Sequence, residues 1–162
     1  MINGQQNSTS AKPAAEPTQA DVIEISKTRL SGLKIMVIDD SRTIRRSAEI
    51  LLMQAGCEVL LAEDGFDALE KISTHFPDLI FADVLMPRLD GYKTCALIKR
   101  SAVYKHIPVI MLTSKDTLFD RARGHAAGSS QYLTKPFTKE TLLRTVEAHL
   151  PVRHVPATKL HS

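Results

Sequence analysis

A small set of side chains in this 162-residue chain could act together chemically. Asp39 and Asp40 follow the apolar run Lys34-Ile35-Met36-Val37-Ile38, and Asp83 follows Leu79-Ile80-Phe81-Ala82. Thr113 and Ser114 follow Pro108-Val109-Ile110-Met111-Leu112, and Lys135 with Pro136 comes just after Gln131-Tyr132-Leu133. Three carboxylates about 5 Å apart, at an effective dielectric near 20, repel by roughly 3 kcal/mol per pair. Such a cluster calls for a bound cation or a proton. Mg2+ takes one or two carboxylates, keeps several waters and leaves a place for a phosphate oxygen. A lysine adds a compact positive charge on a flexible stem, suited to pairing with a phosphoryl group. Taken singly, each piece is ordinary: loop acids at 39 and 40, a turn or cap at 83, a helix cap at 113 and 114, a loop dipeptide at 135 and 136. Only a shared location gives them a joint function.

The elements that would supply that location are legible. The apolar runs just quoted, together with Glu58-Val59-Leu60-Leu61-Ala62, read as five short strands buried on both faces. Between them lie helical patterns. Ile44, Ala48, Leu51, Leu52 and Ala55 form one stripe, with Gly56 as its stop. Ala68, Leu69 and Ile72 form the second, a helix from about Tyr92 to Arg100 is the third, and Leu118, Ala122 and Ala126 mark the inward side of a fourth. The fifth carries Leu142, Val146 and Leu150, with Leu143 beside them and Thr138 as N-cap. Strands alternating with helices imply a parallel sheet covered on both sides. In such sheets ligands bind outside the carboxyl ends of the strands, which is where the acids, the hydroxyls and the amine all fall.

Residues 1–32 are rich in Asn, Gln, Ser, Thr, Pro and Ala and read as a disordered tail, with Val22, Ile23, Glu24 and Ile25 as a stray strand or docking peptide at most. Residues 33–150 form the domain, and 151–162 a second tail. The net charge of +3 comes mostly from the tails, since residues 33–150 hold 16 basic and 15 acidic side chains. No concentrated basic stripe points to nucleic acid. No apolar run approaches the ~20 residues of a membrane span, and the polar N-terminus is no signal peptide. Cys57 and Cys95 sit among apolar neighbours and read as small buried hydrophobes of a chain in the reducing cytoplasm. The six histidines are scattered and take no role.

The strings Val37-Ile38-Asp39-Asp40-Ser41, Ala82-Asp83-Val84-Leu85-Met86-Pro87, Leu89-Asp90-Gly91, Met111-Leu112-Thr113-Ser114-Lys115 and Tyr132-Leu133-Thr134-Lys135-Pro136-Phe137 resemble the receiver domain of two-component response regulators. The resemblance covers residues 33–150 in order. It implies an α/β fold, doubly wound (βα)5 and flavodoxin-like, with a five-stranded parallel sheet in order 2-1-3-4-5. It implies that Asp83 is the phosphoacceptor and that Asp40, Asp83 and the backbone carbonyl of Leu85 hold Mg2+, with Asp39 acting mainly through water. Lys135 would bind a phosphoryl oxygen, Thr113 would move toward the phosphoryl group, Tyr132 would be the aromatic switch, and the Lys135-Pro136 bond would be cis. Leu85 and Lys115 would flank the path of the hydrolytic water. The implied donor is a sensor histidine kinase or a histidine phosphotransfer domain, docking near Ile44, Arg42, Arg45 and Arg46. The implied output is a change of protein partner at the face of helix four, strand five and helix five, by a monomer or weak dimer. Such a protein is no turnover enzyme: it catalyses its own phosphotransfer and autodephosphorylation only. The strings Thr43-Ile44-Arg45-Arg46, Asp64-Gly65-Phe66-Asp67 and Gly91-Tyr92-Lys93-Thr94-Cys95 are similar to the receivers of type IV pilus chemosensory systems that control twitching motility. This implies an effector in the pilus machinery.

Three rival readings differ in the residues they need. A flavin carrier of the same architecture needs a hydroxyl-rich cradle after strand one, where this chain has two acids. An aspartyl phosphatase or phosphotransferase needs its nucleophile in an Asp-x-Asp pattern there. A phosphorylation-independent receiver-like interaction module would not need the complete set of Asp39, Asp40, Asp83, Thr113 and Lys135.

Overall fold

Every residue of Leu79–Asp83 and Val109–Thr113 is buried, as a parallel strand covered on both faces requires. These segments are β3 and β4 of a computed structural model that describes residue 18 and residues 30–114 and 118–150. The rest of the predicted tails, the segment 22–25 and Lys115 lie outside the described residues. The remaining strands are β1 (Lys34–Ile38), β2 (Glu58–Ala62) and β5 (Gln131–Thr134). The helices are α1 (Arg42–Gln54), α2 (Gly65–His75), α3 (Gly91–Arg100), α4 (Leu118–Ala127) and α5 (Lys139–Ala148). All strand pairs are parallel, in the order β2-β1-β3-β4-β5. This is the predicted doubly wound topology.

The two-residue period of a strand splits the core into two layers. Ile35, Val37, Leu79, Phe81, Ile110 and Leu112 face α1 and α5, whose Ala48, Leu52, Leu142 and Val146 complete one cluster. Met36, Ile38, Ile80, Ala82, Val109 and Met111 face the other way and pack with Ala68 and Ile72 of α2 and Cys95 and Ile98 of α3. Each such fully buried aliphatic or aromatic side chain contributes about 2 kcal/mol of transfer free energy. Leu30, read from sequence as part of the tail, is also fully buried in the first cluster. Both cysteines are buried and unpaired, one in each layer, and burial pushes each thiol up to about 11.

Helix starts follow capping chemistry. Ser41, Asp64 and Asp90 accept the main-chain N–H groups of Ile44, Asp67 and Lys93, and Thr138 makes a reciprocal pair with Thr141. Asp64 and Asp90 are thereby committed to helix ends. Two of the three residues expected on the inward side of α4 do not lie there: Ala122 and Ala126 are exposed, and among the helix's described side-chain positions the buried one is Gly124, with Ala127 half-buried. The reason is tertiary: the hydroxyl of Tyr132 on β5 reaches the helix at Gly124, and a Cβ there would collide with it. No helix among the described residues is long and apolar enough to cross a membrane.

Candidate functional site

Strand register brings the chemical residues level. Ile38 lies opposite Ala82, so Asp39 and Asp83 leave adjacent strands at the same height. Asp83 lies opposite Leu112, and Thr113 opposite Thr134, which sets Thr113 one step and Lys135 two steps further along the same edge. Asp83 and Thr113 are the last residues of their strands, not the first of loops. Thr113 is thus a strand residue.

Asp39 is fully buried, Asp83 is 3% exposed and Asp40 is exposed. One carboxylate oxygen from each of the three lies within 4.8 Å of the others. The Lys135 amine donates to Asp39 Oδ2 at 3.2 Å and to Asp83 Oδ1 at 3.1 Å. Its Lys135-Pro136 bond is cis. The main-chain N–H of Ser41 donates to Asp39 Oδ1 at 2.9 Å, and that of Leu85 to Asp83 Oδ1 at 3.3 Å. Burial, and then the charge of Asp39, push the Asp83 carboxyl up to about 6 against the opposing pull of Lys135. Burial works against the Lys135 charge, but its bonds and attraction to Asp83 and Asp39 outweigh this and hold the amine above the ordinary lysine value. Among the described residues no buried side-chain polar atom lacks a partner. Three carboxylates against one ammonium leave a local excess of negative charge, and their oxygens are the hard donors a small divalent cation takes. The residues therefore fit a bound Mg2+.

A cleft of about 620 Å³ opens beside the cluster, lined among others by Asp40, Leu85, Thr113, Ser114 and Tyr92. Leu85 stands 71% exposed at its mouth. Among the described residues, every site residue expected from sequence is therefore at this end of the sheet except Tyr132. Tyr132 is half-buried on β5, its hydroxyl bonded to the Gly124 N–H on α4 and to the Tyr92 hydroxyl.

Three contributors escaped the sequence reading. Arg45, one of the arginines expected near the donor-docking surface, also turns its guanidinium onto the Asp39 main-chain oxygen at 2.6 Å. Arg88 has a positive φ of 68°, pairs with Asp64 at 2.9 Å and lies over the Phe66 ring, which ties the loop after Asp83 to α2. Gly91 lets the first turn of α3 sit directly on the Asp83 main chain, where a Cβ would run into the Asp83 carbonyl oxygen. The Asp90-Gly91 dipeptide was the available signal for this last contact, but its meaning needs the tertiary neighbour. A Gly91→Ala protein is expected to lose about 2 kcal/mol through overpacking, readable as a lower urea midpoint with an unchanged slope.

The response regulator receiver domain family matches residues 35–147. Protein PilG of Pseudomonas aeruginosa is 63% identical over 120 residues, which cover 74% of this chain and 89% of that protein. Response regulator MprA of Mycobacterium sp. (strain KMS) is 39% identical over 118 residues, 73% of this chain and 50% of the relative, so the chain spans about half of that protein's length. Of solved structures, chemotaxis protein CheY4 of Vibrio cholerae aligns with a TM-score of 0.72 at 36% identity, covering 74% of this chain and 100% of that one. The receiver domain of the Francisella response regulator 1452 aligns with a TM-score of 0.67 at 31% identity, covering 73% of this chain and 96% of that one. The family match runs from the second residue of β1 into the last turn of α5, across every strand that presents a carboxylate, hydroxyl or amine to the cluster, and this chain belongs to the response regulator receiver domain family.

Proposed function

We propose that this receiver takes a phosphoryl group onto Asp83 from a phosphohistidine of a sensor histidine kinase or histidine phosphotransfer domain. A carboxylate oxygen of Asp83 forms the new P–O bond as the P–N bond breaks, and the imidazole leaves with the electron pair. Such transfer depends on positioning and charge neutralisation more than on covalent novelty. Lys135, already bonded to Asp83, supplies positive charge beside the phosphoryl oxygens. Mg2+ held by Asp40, Asp83 and the Leu85 carbonyl, with Asp39 reaching it through water, would add to that neutralisation. Thr113, one step along the edge from Asp83, bonds the phosphoryl group, and Tyr132 moves toward it. Water attack on the acyl phosphate later restores the acid, so the chain turns over only its own modification.

The output is a population shift in which protein binds the face of α4, β5 and α5, since a ligand moves an equilibrium only through differential contacts. The 63% identity to PilG, with the similarity of the α1, α2 and α3 sequences to twitching-motility receivers, supports a place in a chemosensory pathway acting on type IV pili. The donor would dock on α1 near Ile44, Arg42, Arg45 and Arg46, of which Arg42 and Arg46 stand exposed.

The observation that carries this reading is the grouping of Asp39, Asp40 and Asp83 within 4.8 Å with the Lys135 amine on two of them. Acetyl phosphate with Mg2+ is expected to retard the protein on a phosphate-affinity gel, and EDTA is expected to abolish the retarded band. A protein that runs unchanged in both conditions is the phosphorylation-independent module instead.

A further inference from the structure

Outside the acid cluster, two tyrosine hydroxyls form a relay that runs along one turn of α4. The Gly124 main-chain N–H donates to the Tyr132 hydroxyl at 3.1 Å, Tyr132 donates to the Tyr92 hydroxyl at 3.2 Å, and Tyr92 donates to the Asp120 carbonyl at 3.3 Å. Gly124 and Asp120 are the donor and acceptor that an α-helix would itself join, since the ladder bonds each N–H to the carbonyl four residues back. The hydroxyls therefore bridge two main-chain groups one turn apart on a continuous helix and give each a side-chain partner. Glycine at 124 is what permits the approach, because a Cβ there would meet the Tyr132 hydroxyl oxygen.

Tyr92 is well placed to hold this arrangement. It is 7% exposed at the first turn of α3. The Arg123 guanidinium stacks 4.4 Å from its ring centroid and lies 3.8 Å from Asp90, the N-cap of the same helix. Burial and the Tyr132 hydroxyl push its phenol upward, so it keeps the proton it donates. It also lines the cleft shared with Asp40 and Thr113.

We propose that Tyr92 is a positioning residue of the phosphorylation switch, whose hydroxyl holds Tyr132 against Gly124 of α4 and thereby opposes the movement of Tyr132 toward Thr113. The proposal rests on the reading of Asp83 as phosphoacceptor and Tyr132 as the mobile aromatic. When Tyr132 leaves, the Gly124 N–H loses the hydroxyl it donates to, while the Tyr92 hydroxyl keeps its bond to the Asp120 carbonyl. Occupation of Asp83 is thus linked to the contact between β5 and α4, with Tyr92 setting the threshold.

The test is a double-mutant cycle on the full chain: wild type, Tyr92→Phe, Tyr132→Phe and the double variant. Phenylalanine keeps the ring and the Arg123 stacking and removes only the hydroxyl. The first readout is the affinity for beryllofluoride with Mg2+, a mimic of the phosphoryl group. The second is 19F NMR of 3-fluorotyrosine protein, in which the chain's three tyrosines give three assignable signals. Loss of one neutral hydrogen bond from the disfavoured side corresponds to about fivefold tighter binding. The expected result is that Tyr92→Phe binds the mimic about fivefold more tightly and shifts the Tyr132 signal in the free protein, with no tightening when it is made in the Tyr132→Phe background. A merely structural role would change the melting temperature without this dependence on Tyr132. Unchanged or weaker binding by Tyr92→Phe, or equal tightening in both backgrounds, overturns the proposal while leaving the phosphoacceptor reading intact. A wild-type protein that fails to bind the mimic overturns that reading, and the switch role of Tyr92 with it.

Discussion

An Asp83→Asn protein is expected to take up a phosphoryl group from acetyl phosphate and Mg2+ at least ~1,000-fold more slowly than the wild type, because the amide oxygen that replaces the carboxylate is not a usable nucleophile. Intact-mass spectrometry over a time course checks this, and label that still arrives at the wild-type rate sinks the assignment. The same substitution carries a stability effect of opposite sign. The Asp83 carboxyl is pushed up to about 6, by burial first and by Asp39 second. A carboxyl whose folded value is raised keeps its proton where the unfolded chain has already lost it. Its contribution to stability is therefore full below about pH 4 and is lost as pH rises through about 6. About two pK units correspond to roughly 3 kcal/mol. Asparagine is neutral throughout, but it also gives up the ion pair with Lys135. The metal-free variant is thus expected to exceed the wild type by about 1–3 kcal/mol at pH 7.5, with the gap closing toward pH 4. Urea titrations in EDTA at the two pH values measure this. A variant less stable than wild type at pH 7.5 contradicts the electrostatic account.

Removing the opposing charge should do the reverse. A Lys135→Ala protein is expected to lose about 3 kcal/mol of metal-free stability at pH 7.5, the usual consequence of leaving buried charge without its partner. Lys135 bonds both Asp39, which is fully buried, and Asp83. Its folded value lies above the ordinary lysine value, so its contribution is complete at every pH below that and fades only in strong alkali. Without the amine nothing else draws the Asp83 carboxyl down as strongly, and the variant should recover much of its lost stability as the pH falls and that acid protonates. Combining it with Asp83→Asn should be less damaging than the sum of the single changes by about 1 kcal/mol or more, since one of the stranded charges is gone. Thermal melts of the four proteins in EDTA provide the cycle. Strict additivity would mean that the Lys135–Asp83 pair seen at 3.1 Å carries little energy. Phosphoryl uptake by Lys135→Ala should also fall, as the charge beside the attacked phosphorus is lost.

The layered fold was readable because its signal is local. Runs such as Leu79-Ile80-Phe81-Ala82 are too short and too continuously apolar for anything but strands covered on both faces, and the stripes of α1 and α5 point where their periodicity says. Asp39, Asp83, Thr113 and Lys135 could be located for a related reason: each ends or follows a strand, and parallel strands deliver such residues to one edge. Helix α4 failed the same treatment. Past its first turn its apolar residues are alanines, so periodicity had little to work with, and the buried position among its described side chains is a glycine that no hydrophobic pattern would choose. The bond of Arg45 was hidden for a similar reason. An arginine on a polar helix face gives no local sign that the chain turn carrying Asp39 lies beneath it.

By itself the order of residues determined the strands and helices, the family, and the identity of the acids, hydroxyl and amine, because these depend on composition over a few consecutive positions and on motif strings in sequence. The register that sets Asp39 level with Asp83 was decided only in three dimensions. So were the two bonds of Lys135, the seat of Gly91 on the Asp83 carbonyl, and the meeting of Tyr92, Tyr132 and Gly124. Those contacts join residues that are 8 to 96 positions apart along the chain. Their energies depend on distance and desolvation at the point of meeting, quantities that no short window of sequence contains.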